Sequence, residues 1–229
     1  KPNFRYRDSL ESRSYSTFVS ANADRDGVVY VGANDGMLHA FDAEDGGEIF
    51  AFIPSPVFSR LKNLASQSYS HQFYVDGPPS MSDVFYGNAW HTVLVGGLNK
   101  GGQGIYALDV TDPTALSRSS VLWEFTDSND ADLGLTYSQP AIVRLHNGKW
   151  AAVFGNGYNN TFDDTAAGGQ KSATGQAALY VVDIQTGGII RKIDTNVGTA
   201  NDPLAQSRPN GLATPAAVDL DGDGVIDFV

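Results

Sequence analysis

Short apolar runs rich in β-branched and aromatic residues alternate with polar positions along most of this chain, and Gly, Asn and Asp punctuate them. Period-two segments bounded by turn residues predict strands joined by hairpins. Residues 28–32 and 37–42 form one such hairpin around the turn Ala33-Asn34-Asp35-Gly36. Residues 104–110 and 178–184 repeat its second strand, with Tyr106 and Tyr180 preceding Asp109 and Asp183 at the same distance. An outer strand follows each copy, at 48–52, 121–125 and 189–193. Glycine turns, Glu44-Asp45-Gly46-Gly47 and Thr186-Gly187-Gly188, lead into the first and third of these.

A second kind of strand recurs behind a proline. Residues 77–84 lead into 90–97, residues 138–148 into 149–155, and residues 213–220 into 225–229. Four short strands per unit, with Tyr, Asp and Gly at fixed places, describe a β-propeller blade, which buries its faces only by stacking on its neighbours. The predicted fold is therefore all-β: a partial β-propeller of four-stranded antiparallel blades. Residues 1–20 are expected as an N-terminal flank or linker. Residues 21–229 are expected as about three blades plus the first hairpin of the next. The proline markers lie about 60 to 75 residues apart, more than the roughly 40 to 50 of a minimal blade. Insertions at 54–76, 126–137 and 159–176 take up the excess. The first carries a short helix around 56–64, and the third, with its Ala166-Ala167-Gly168-Gly169 run, is expected to be mobile. The abrupt start and the stop at Val229 read as a fragment, so further sequence or another chain is expected to cover the unpaired sheet edge.

Composition narrows the partners. Net charge is -11, with 26 acidic and 15 basic residues, and phosphate recognition needs the opposite sign, so nucleic acid is not an expected partner. The chain has no cysteine, which removes disulfides, thiolate catalysis and zinc ribbons. No apolar run approaches the length of a membrane span, so no membrane insertion is expected of this segment.

The acidic balance is concentrated at residues 219–227. Asp219, Asp221, Asp223 and Asp227 occupy positions 1, 3, 5 and 9 of one loop, with Gly224 at position 6. Carboxylates so close repel one another unless something positive lies between them. Gly224 permits a sharp reversal that brings the Val225 carbonyl to the same point. Oxygen-only, highly charged, flexible donors suit Ca²⁺ better than Zn²⁺ or Mg²⁺. The loop is not an EF-hand, because it lacks the Glu at position 12 and its flanks have strand composition. It takes the place that the plain Asn147-Gly148 turn holds in the preceding repeat, so it is predicted as a hairpin tip. The candidate metal ligands are Asp219, Asp221, Asp223, Val225 (by its carbonyl) and Asp227, and the expected cofactor is Ca²⁺.

Other constellations read as structure. Residues 22–27 echo the acidic loop, but Arg25 lies inside them and position 9 is Tyr30, so they are an acidic turn before a strand. His39, His71, His91 and His146 show no ligand spacing, and no Gly-x-Ser-x-Gly elbow marks a nucleophile. The glycine-rich stretch 96–104 lacks the ending of a phosphate loop and is a hairpin connection. Trp90, Trp123 and Trp150 lie in apolar strands and are expected to pack between blades. No catalytic or cofactor-binding residue is nominated.

The run Val28-Val29-Tyr30-Val31-Gly32-Ala33-Asn34-Asp35-Gly36-Met37-Leu38-His39-Ala40-Phe41-Asp42 resembles the C-terminal propeller of the PilY/PilC-type proteins of type IV pilus biogenesis. The likeness continues through 101–109, through Val153-Phe154-Gly155-Asn156-Gly157-Tyr158-Asn159, and through 219–227. It implies a non-enzymatic protein of the periplasm, outer membrane or cell surface, associated with the pilus machinery and minor pilins. It further implies adhesion, with a host surface or matrix protein as a further partner, and a calcium loop that controls pilus extension against retraction. Two rival readings accompany it: a quinoprotein dehydrogenase-like enzyme, and an adhesive or scaffold propeller with integrin-like calcium hairpins.

Overall fold

The structure, a computed structural model, describes residues 4–158, 160–161 and 169–229. Its first sheet contains β1 (Val28–Gly32), β2 (Leu38–Asp42) and β3 (Glu48–Phe52), in that order. The second contains β4 (Ser80–Tyr86), β5 (Ala89–Gly97), β6 (Gly104–Asp109) and β7 (Val121–Thr126). The third contains β8 (Ala141–Arg144), β9 (Trp150–Gly155), β10 (Ala178–Asp183) and β11 (Ile189–Asp194). Neighbouring strands are all antiparallel and sequential, so each sheet is a meander.

The three sheets repeat one another down to a local irregularity. The register slips between Ala40 and Phe41, between Ala107 and Leu108, and between Val181 and Val182, each time where the penultimate strand meets the last. A bulge at that point sharpens the twist of the outer strand. The turns that close the first and third of these pairs also match. Gly46 donates to the Asp42 carbonyl at 3.0 Å and Gly187 to that of Asp183 at 2.9 Å, with φ of 76° and 72°. Only glycine takes that backbone without strain, and at Gly187 a Cβ would also lie 2.7 Å from Trp123.

Burial follows position in the stack. Every residue of β9 is buried, whereas β11 at the sheet edge is mostly exposed. A strand buried on both faces reads as a continuous apolar run because neighbouring sheets cover both sides. Trp90, Trp123 and Trp150 form, with Phe125, Phe154 and Tyr180, the cluster between the second and third sheets. Leu38, Tyr74, Leu94, Tyr106 and Leu108 form a second cluster between the first and second.

The expected four-stranded unit holds for two sheets and not for the first. Among the described residues no proline-led strand precedes β1. In its place lie an extended segment and helix α1 (Tyr15–Ala21). That N-terminal segment, read from sequence only as a flank, enters the main core. Tyr15 is 2% exposed and donates to Asp83 Oδ2 at 2.5 Å, and burial pushes the Asp83 carboxyl up. Tyr6 stacks on Trp90 at 5.7 Å and meets Trp150 edge-on at 5.2 Å. The helix expected around 56–64 is a 3₁₀ helix, Ser55–Ala65. Asn159 and residues 162–168 of the insertion expected to be mobile lie outside the described residues. The last predicted hairpin contains a single bridge, Val218 to Phe228, rather than two strands. Among the described residues no further strand pairs beside it, and an isolated hairpin is marginal in water.

Candidate metal centre

The acidic loop is anchored at both ends. Val225 is buried (7% exposed), and the Ile226 N–H donates to the Arg144 carbonyl at 2.9 Å, tying the loop to the end of β8. Asp227 N–H donates to the Val218 carbonyl at 2.9 Å. Between these anchors Gly222 and Gly224 both take positive φ, 70° and 88°, which folds the backbone back on itself.

Carboxylates cap the amides that this reversal exposes. Asp219 Oδ1 accepts from Gly222 N at 2.8 Å and from Asp223 N at 3.3 Å, while Oδ2 accepts from Gly224 N at 2.9 Å. The Gly224 N–H, aided by those of Gly222 and Asp223, holds the Asp219 carboxyl below its ordinary value, keeping it ionised. Asp221 Oδ1 accepts from Asp223 N at 3.0 Å, and Asp227 Oδ2 from Leu220 N at 2.8 Å. Asp223 Oδ1 accepts from Val225 N at 2.7 Å.

Of the predicted ligands, the fold brings Asp219, Asp221 and Asp227 together: one carboxylate oxygen of each lies within 4.8 Å of the other two. Asp223 is not in that group. Oxygens bound to one Ca²⁺ at 2.3–2.6 Å can be at most about 4.6–5.2 Å apart, whereas Mg²⁺ limits them to about 4.0–4.2 Å. The three oxygens therefore lie within the span of one calcium shell as they stand. Among the described residues no lysine or arginine forms an ion pair with any of the four carboxylates. His146 Nε2 lies 3.7 Å from Asp227 Oδ1 on a ring that is 71% exposed.

A second acidic group, not singled out from the sequence, is built differently. Asp130 and Asp132 face Lys192, whose ammonium donates to Asp130 Oδ1 at 2.8 Å and Oδ2 at 2.9 Å, and to Asp132 Oδ2 at 2.6 Å. Tyr180 donates to Asp130 at 3.1 Å, and Ser172 to Asp132. Burial works to raise the Asp132 carboxyl, but Lys192 and Ser172 outweigh it and hold it low. The other residues set aside in the sequence behave as structure. Arg25 donates to Thr92 and Thr111, and His39 bridges Asp35 and Glu48. His91 bonds Asp109, and the glycine-rich stretch connects β5 to β6.

Repeated, sequential antiparallel sheets, two of them four-stranded, with a shared bulge and packed cores between them define a propeller-type protein. The chain belongs to the PilY1 beta-propeller domain family, whose model matches residues 6–229. It is 47% identical over 220 residues to the type IV pilus biogenesis factor PilY1 of Pseudomonas aeruginosa PAO1, covering 95% of this chain and 17% of that protein. A PilY1 homolog of Xylella fastidiosa is 45% identical over 225 residues, covering 96% and 14%. The chain thus spans about a sixth of the length of the curated relatives it matches. The crystal structure of the Pseudomonas aeruginosa PilY1 C-terminal domain superposes with a TM-score of 0.72 at 46% identity, covering 93% of this chain and 38% of that one. Among the described residues no helix is long and apolar enough to cross a membrane.

Proposed function

We propose that this chain is the calcium-binding, non-enzymatic propeller segment of a type IV pilus biogenesis protein, and that cation occupancy of its acidic loop regulates pilus extension and retraction. Asp219, Asp221 and Asp227 supply the carboxylate oxygens. Asp223 and the Val225 carbonyl are the remaining members of the ligand set. The observation that carries the reading is the convergence of three carboxylate oxygens within 4.8 Å, with no lysine or arginine among the described residues paired to them. Like charges held that close favour a dication. When bound, Ca²⁺ supplies charge neutralisation and a rigid loop; it does no chemistry on a substrate. The relatives, named as type IV pilus biogenesis factors, support the pilus setting; a location in the periplasm or at the cell surface and minor pilins as partners belong to the same proposal.

The test is genetic. A strain whose full-length protein carries Asp227→Asn should lose the calcium response of its surface pilus number and twitching, while the protein remains present at parental level. Unchanged calcium-dependent piliation in that strain would remove the regulatory reading.

A further inference from the structure

Tyr6, Arg7 and Leu10 lie beside the acidic loop, and one of them carries a charge to it. Arg7 Nη2 donates to the Gly222 carbonyl at 2.9 Å. Arg7 is exposed, yet its neighbours fix where it sits. Tyr6 is held in the aromatic cluster with Trp90 and Trp150, and its hydroxyl bonds Ser82 Oγ at 3.0 Å. Three residues on, Leu10 N–H closes a turn onto the Arg7 carbonyl at 3.0 Å, and the Leu10 side chain lies against Gly224, where a Cβ would be 3.3 Å from Leu10 Cδ2. Glu11 then accepts from Arg144 Nε at 2.6 Å and Trp150 Nε1 at 2.9 Å. A guanidinium is thereby held at the rim of the carboxylate group, bonded to a backbone carbonyl and not to a ligand oxygen.

We propose that Arg7 is an affinity-setting residue for the cation site: its fixed positive charge competes with Ca²⁺ for the field of the four carboxylates and keeps binding weak enough to be reversible. This rests on the calcium reading of the loop. A +1 charge beside a +2 ion is repelled, while both are attracted to the same Asp residues, so strap and cation are anticooperative. By linkage, bound Ca²⁺ loosens the Arg7 contact as much as Arg7 weakens Ca²⁺. Each partner acts through water, so the effect is modest and screened by salt. A purely mechanical strap, one that merely steadies the loop, carries the opposite sign: removing any of its contacts weakens binding.

Calorimetric titration with Ca²⁺ at low and at physiological ionic strength separates these. Arg7→Gln keeps a donor and removes the charge, Arg7→Lys keeps the charge, and Leu10→Ala loosens the strap at constant charge. The expected result is that Arg7→Gln binds Ca²⁺ about threefold tighter at low salt, with the ratio shrinking toward one as salt rises. Arg7→Lys should stay within twofold of the parent, and Leu10→Ala should not bind more tightly than the parent. An Arg7→Gln affinity equal to or weaker than the parent's overturns the proposal while leaving the site intact. A parent that takes up no Ca²⁺ overturns the reading of the site itself.

Discussion

Two acidic groups on this chain solve the same electrostatic problem in different ways. At Asp130 and Asp132 the countercharge is covalent: Lys192 reaches across from β11 with three hydrogen bonds to two carboxylates that are each under a fifth exposed. At Asp219, Asp221, Asp223 and Asp227 no lysine or arginine among the described residues pairs with the carboxylates, and the Arg7 guanidinium bonds a backbone carbonyl instead. A tethered ammonium is present whenever the chain is folded, so the first group reports nothing. The second, on the proposed reading, takes its countercharge from solution. The lesson is that an acidic cluster signals exchange with solution only when the chain withholds its own cation.

The largest expected effect breaks the second group. At Ca²⁺ a hundredfold above its dissociation constant, the parent should gain about 2.7 kcal/mol of stability. That is about 5–10 °C in midpoint for a chain of this size. Asp227→Asn should show almost none of that gain, while melting close to the parent in chelator. Thermal scans of both proteins with and without calcium check this.

Next comes the first group. Lys192→Met leaves two largely buried carboxylates without their countercharge, and should cost about 2 kcal/mol, between the values for exposed and buried pairs. Urea unfolding should show that loss equally in calcium and in chelator. A loss that appears only in chelator would merge the two groups and undo the contrast.

A smaller effect lies in pH. Because Asp132 is held below its ordinary value near 3.8, its contribution is fully present above that value and is lost as pH falls through its lowered folded value. Burial works against the Lys192 ammonium, but Asp130 and Asp132 outweigh it and raise it above 10.5. Its contribution is therefore intact below 10.5 and lost as pH climbs through the raised value. Stability curves against pH should show both limbs in the parent and neither of these contributions in Lys192→Met.

Much of this was legible in the chain. Alternation and glycine turns place β1 to β11, and the Tyr-to-Asp spacing aligns 104–109 with 178–183. The nine-residue Asp pattern locates the loop because its periodicity is local. What was not legible depends on contacts distant in sequence. Tyr6, Leu10 and Tyr15 read as a flank because nothing short-range tells an aromatic linker from one docked against Trp90 and Trp150, more than seventy residues away. Lys192 sits sixty residues beyond Asp132, so only the folded sheet pairs them. Spacing also ranked the four loop aspartates equally, whereas the backbone reversal turns Asp223 onto the Val225 amide and leaves three converging. Aromatic density at residues 4–18 was the available hint that the first segment belongs to the core.

The most direct test is calorimetric titration of the chain with Ca²⁺ and, in parallel, Mg²⁺, repeated on Asp219→Asn, Asp221→Asn and Asp227→Asn. The account predicts one saturable calcium site in the parent, much weaker magnesium binding, and loss of the calcium heat in each variant. An isotherm unchanged by those substitutions, or no saturable heat at millimolar calcium, would contradict it.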